Sequence, residues 1–199
     1  MKSQSSSVFR LPSSGVESVI LSWHLAAIAV ALVPPVFFGF AVAPAAFRVL
    51  PTRDMAASLV SPILTKACWL AEGGFALLFL TSWLLFRWWN APRLSRSLAT
   101  RAAILGMITS VVIEKLLIPP MDKIREQAPG LIDSLPAADP SRILLDRYHR
   151  LASGFFAADV GAALLILIVT SRLLVRRAFP PVPAAARPPV PKLLDLSDV

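Results

Sequence analysis

The stretch VILSWHLAAIAVALVPPVFFGFAVAPAAF, residues 19–47, decides the fold, because between Glu17 and Arg48 the only titratable side chain is His24. A hydrocarbon core of about 30 Å needs about 20 apolar residues at 1.5 Å rise each, so this segment crosses a bilayer with length to spare for tilt or a kink. Pro34 and Pro35 supply the kink. Ala27, Ala31, Pro35, Gly39 and Ala43 recur every fourth residue. A stripe of small residues lets other helices approach the backbone closely, so this segment is expected to be the central helix of a small membrane bundle.

Composition points the same way. Apolar residues make up 56% of the 199 and charged residues only 16%, with a mean hydropathy of +0.67. The solvent for such a fold is mostly lipid, and the apolar runs use up so much of the chain that no separate soluble catalytic domain fits. Cys68 is the only cysteine, which excludes an intrachain disulfide and a cysteine-cluster metal site. On an apolar helix it reads as a small packed residue. The net charge of +8 gathers in short segments flanking apolar spans, the signature of membrane topology and not of a nucleic-acid-binding face.

Four spans are expected, at residues 18–47, 57–89, 102–119 and 140–177, within a membrane domain of residues 18–178. Residues 1–17, rich in serine, read as a disordered cytoplasmic leader. Residues 179–199 read as a proline-rich cytoplasmic tail. The loop RWWNAPRLSRSLATR carries Arg87, Arg93, Arg96 and Arg101 with no acid, so the positive-inside rule places it in the cytoplasm. The third span should stop at Pro119-Pro120. A polar loop then covers residues 121–139, and Asp139-Pro140 opens the last helix as N-cap and first-turn proline. Arg172, Arg176 and Arg177 close that helix on the side of the first basic loop. The fold class is therefore an all-α, four-helix transmembrane bundle with both termini cytoplasmic.

Inside the spans, Glu72, Lys115 and Asp159 are expected to meet in one polar cluster. At 1.5 Å per residue they lie about 15, 7 and 12 Å inside the outer boundary, and helical side chains lean toward their own N-terminus, which closes the gap. Each charge costs roughly 2.5–3.5 kcal/mol at a helix centre, so pairing is expected, with Glu114 pointing elsewhere or joining as a further acceptor. Such a cluster serves either as a register-fixing salt bridge or as a relay or ion site.

The segment FFGFAVAPAAFRVLP, with Gly39, Pro44, Phe47 and Arg48, and the segment RYHRLASGFF, with His149 and Ser153, resemble the signatures of the family typified by transmembrane protein 205. The resemblance spans roughly residues 20–177 and implies a small four-span membrane protein of unknown function. A more distant similarity is to the copper-resistance D type four-helix proteins and membrane protoporphyrinogen oxidases, which implies a role for a first-helix histidine in metal or haem chemistry. His24 occupies that place. By spacing alone it lies about 8 Å from the predicted boundary beside Trp23, which reads as an interfacial anchor.

No phosphate loop, HExxH helix or water-facing Ser-His-Asp set is present. The expectation is a non-enzymatic multi-pass protein without a cofactor, acting through a membrane partner or its own oligomerisation, with a small transporter or a haem- or copper-handling redox protein as the alternative. Arginine outnumbers lysine 15 to 5, a bias that suggests a GC-rich bacterial source and hence the inner membrane.

Overall fold

The computed structural model describes residues 15–179. Most of the expected leader and nearly all of the proline-rich tail lie outside the described residues. Four helices alternate in direction: α1 (Gly15–Val49), α2 (Arg53–Trp88), α3 (Arg93–Gln127) and α4 (Pro140–Ala178), each long and apolar enough to cross a membrane. Among the described residues there is no strand. α1 and α3 each pack against both α2 and α4, closing the bundle. The start of α1 and the end of α4 share one end, here the terminal end, and residues 128–139 cross the other, the loop end.

Local chemistry sets the turns. Between α2 and α3 the backbone reverses at Asn90, whose φ of 48° lies in the left-handed region that asparagine tolerates. The Ala91 N–H donates to the Phe86 carbonyl at 2.9 Å, which closes the end of α2. The basic loop is thus only residues 89–92, since α3 begins at Arg93 and not near residue 102. α2 begins at Arg53, capped by the Thr52 side chain accepting from the Met55 N–H, four residues before the expected start. Asp139 caps α4, its side chain accepting from the Ser141 N–H, with Pro140 in the first turn. Residues 15–17 already belong to α1, so the leader ends sooner than residue 17.

The prolines at 119 and 120 do not stop the third span. α3 continues to Gln127, and a π-helical turn at Val112–Leu117 precedes the prolines. A matching π turn at Phe38–Val42 in α1 precedes Pro44. In each the backbone bond reaches five residues back, Ala43 N–H to Phe38 O and Ile118 N–H to Ile113 O. Proline's ring clashes with the carbonyl four residues earlier in an α-helix. Widening the preceding turn by one residue relieves the clash without ending the helix.

In lipid, helices gain little by hiding apolar surface from one another, so close packing and polar contacts hold the bundle. Ala27 and Ala31 are fully buried, and α2 meets them at Gly74, where an added Cβ would stand 2.7 Å from the Ala31 backbone nitrogen. Pro35 is buried as well, but Gly39 and Ala43 are only half-buried. A strict four-residue repeat advances about 40° past a full turn at each step, so the stripe leaves the packed face and Phe38 and Ala46 take the inward positions. On α3, Gly106 receives the Phe75 ring, 2.3 Å from where a Cβ would be.

Candidate functional site

Polar side chains sit in layers along the bundle. At the terminal end Glu17, 3% exposed, accepts from the Trp89 indole N–H at 2.5 Å and pairs with Arg177 at 2.9 Å. Arg177 also lies over the Trp89 ring, 5.1 Å from its centroid, in cation–π geometry. These contacts tie together the start of α1, the α2–α3 turn and the end of α4.

Seven residues further along α1, about 10 Å deeper, His24 has no exposed surface. Its Nδ1 and Nε2 each lie 2.9 Å from a hydroxyl, Thr81 on α2 and Thr170 on α4. The Thr81 hydroxyl donates to the Leu77 carbonyl at 2.7 Å, so toward His24 it accepts, and Nδ1 carries the ring proton. Nε2 is then the lone-pair nitrogen, to which Thr170 donates. The imidazole joins three helices and offers no free nitrogen to haem or copper. This overturns the interfacial reading: Trp23 is 59% exposed, while its neighbour, about 100° round the helix, points inward.

Nearer the loop end, the expected four-residue cluster divides in two. Asp159, 2% exposed, is held by the hydroxyls of Thr109 and Ser110 on α3, the latter at 2.9 Å from Oδ2. It makes no ion pair with Lys115. Thr109 and Ser110 lie five to six residues short of Lys115, about 8 Å along α3, and reach Asp159 first. Lys115 instead pairs with its own neighbour Glu114, Nζ to Oε1 at 2.6 Å. Adjacent residues do not face each other on a regular helix, but these two lie within the π turn. Trp69 Nε1 donates to the same Glu114 oxygen at 2.6 Å. Glu72, one turn beyond Trp69 on α2, lies within electrostatic reach of Glu114, Lys115 and Asp159.

Gly39, Ala43, Pro44 and Phe47 of α1 converge with His149 and Ser153 of α4 on one lateral cleft of about 370 Å³. Leu64 of α2 and Ile113 and Met121 of α3 form its floor. At Gly39 an added Cβ would meet Phe156 at 3.0 Å, so glycine keeps the cleft wall thin. Arg48 is exposed and does not line the cleft. Phe47 and His149 also line an adjoining charged hollow of about 460 Å³, with Arg53, Asp54, Asp133, Arg142 and Asp146. Its wall is fixed by a reciprocal clamp: Asp54 accepts from the Ile132 N–H at 2.6 Å and Asp133 from the Arg53 N–H at 3.1 Å. Among the described residues no group of three or more histidine, cysteine, aspartate or glutamate side chains converges to hold a metal.

Sequence reasoning missed Thr81, Thr109, Ser110 and Thr170. A signal was available, since a Thr-Ser pair recurs in three apolar runs at 81–82, 109–110 and 170–171. It missed Trp69, Trp89 and the charged hollow, whose members come from separate loops and helix starts. Searches against protein-family models, characterised proteins and solved structures find no match.

Proposed function

We propose that this is a non-enzymatic multi-pass protein of the bacterial inner membrane, related to the transmembrane protein 205-like family. Both termini face the cytoplasm, and the α1–α4 cleft holds one chain of a phospholipid with an amine-bearing head group. One observation carries the reading: the residues of two short motifs more than 100 positions apart in sequence line a single apolar cleft that opens onto a charged hollow. Both volumes fall within the range of about 300–1,000 Å³ usual for ligand sites. The hollow carries charges of both signs. Arg142 uses one N–H on the Leu135 carbonyl and retains donors for a phosphate. Asp146 is exposed and offers a carboxylate to an ammonium, and His149 stands at the junction of the two spaces. The exposed apolar side chains elsewhere on the bundle are what lipid contact requires.

Protein purified in mild detergent should retain an aminophospholipid, detected by native mass spectrometry and lipid extraction. Ala43→Trp and Ser153→Trp, which fill the cleft, should lose it. Phe40→Trp, on a side chain 82% exposed, should retain it. Equal lipid content in all three variants would refute the assignment, and so would a bound second copy or partner helix in place of lipid.

A further inference from the structure

Glu114 is a buried side chain, 5% exposed, whose two oxygens have different fates. Oε1 accepts from both Trp69 and Lys115. Oε2 is buried with no donor bonded to it, and so is Oε1 of Glu72, although the two carboxyl groups lie within hydrogen-bonding reach of each other. Two carboxyl oxygens that lack a donor, on facing helices, cannot both stay bare in a low-dielectric interior. Lys115 cannot balance two carboxylates, since its side chain is 62% exposed and already bonded to Glu114. A single proton meets both needs: it makes one group a donor to the other and removes one of two like charges.

The pair also has a route to water. Glu114 lines a hollow with Thr65, Lys115, Asp122, Lys123 and Glu126. Thr65, Asp122 and Glu126 line a second hollow between α2 and α3, together with Ser61 and Lys66. Ser61 donates to Asp122 at 3.0–3.1 Å. These shared side chains form a polar groove leading from Glu114 toward the loop end. The terminal-end direction is closed by the fully buried Phe75 and Leu78. We propose that Glu72 and Glu114 form a proton-binding carboxyl pair inside the membrane domain, exchanging with water on the loop side through the α2–α3 groove. This goes beyond lipid binding and does not depend on it.

The titratable groups within electrostatic reach of the pair are Cys68 on α2, Lys115 on α3 and Asp159 on α4. Of the titratable side chains on α1, Glu17 and His24 are engaged in other layers and Arg48 is exposed.

The test uses the intact protein in vesicles. Dicyclohexylcarbodiimide, an apolar reagent that adds to carboxylic acids and not to carboxylates, should label Glu72 or Glu114, located by peptide mass. Labelling should fall as the pH on the loop side rises and should be indifferent to the pH on the other side. In Glu72→Gln, labelling at Glu114 should drop about tenfold, because Trp69 and Lys115 then hold it as the lone carboxylate. The labelling of unmodified protein keeps the test decisive if that variant fails to fold. Absence of adduct at both residues would overturn the proposal. Protection by sodium or magnesium at constant pH would also overturn it, marking a cation site instead.

Discussion

Gly73 and Gly74 are neighbours on α2 with opposite surroundings, which makes alanine substitutions there a paired test of the packing. At Gly74 a Cβ would lie 2.7 Å from the Ala31 nitrogen, 2.9 Å from its Cα and 3.0 Å from its Cβ. Ordinary contact begins at 3.4 Å, so α1 and α2 must separate by about 0.7 Å, and the obstacle is backbone, which cannot rotate away. The separation would loosen Ala27, Ile28, Ala71 and Phe75, which share one buried cluster. Overpacking of this kind costs about 1–3 kcal/mol. At Gly73 nothing lies within 4 Å, and replacing glycine in a helix by alanine gains up to about 1 kcal/mol in backbone entropy and propensity. The propensity gain is common to both sites, so the two variants should differ by the overpacking cost alone, about 1–3 kcal/mol, with Gly73→Ala the more stable. Reversible unfolding by SDS in mixed micelles measures both. Equal shifts in the two variants would show that α1 and α2 do not meet at Ala31.

Thr170→Val removes the donor to His24 Nε2 and should destabilise by about 1–3 kcal/mol, the usual cost of a buried polar atom left without a partner. His24→Phe should then cost less in that background than alone, as measured by the same unfolding assay, whereas additive effects would dissolve the three-helix connection. For orientation, a reporter active only in the periplasm should work when fused within residues 128–139 and stay silent at residues 89–92, and the reverse pattern would invert the assigned topology.

Much of the fold was legible because lipid imposes long apolar runs that few other structures produce. The Asp139-Pro140 start of α4 was legible because a cap acts within two residues. What stayed hidden depends on distance in sequence. The partners of His24 lie 57 and 146 positions away, and a threonine in an apolar helix more simply bonds its own backbone, as Thr81 also does. Small-residue logic was applied to α1 alone, although Gly74 and Gly106 receive their neighbours most closely. Pro119-Pro120 suggested an end because a regular helix cannot absorb them, and only the widened turn before them shows how this one does. Of the candidate site, depth along the axis gathered Glu72, Lys115 and Asp159 into one region, yet it is Glu114, expected to point elsewhere or join as a further acceptor, that takes the lysine. Depth gave no warning that hydroxyls would reach Asp159 before a lysine could.

Each π turn contains one residue more than the helix around it needs, and so behaves as an insertion lodged within a span. Deleting a single residue from 38–42, such as the outward-facing Phe40, would return that turn to regular α-helix and leave both the segment Gly15–Phe37 and the residues beyond the turn close to their present orientation, while crowding Pro44 against the turn before it. The same holds in α3 for residues 112–117 and everything beyond them. Chain length is thus adjustable in the half of the bundle nearest the loop end, while the half that contains Glu17, His24 and their partners is built to a fixed count. Natural length variation should collect at these two turns, altering the shape of the cleft and of the groove without the loss of a span.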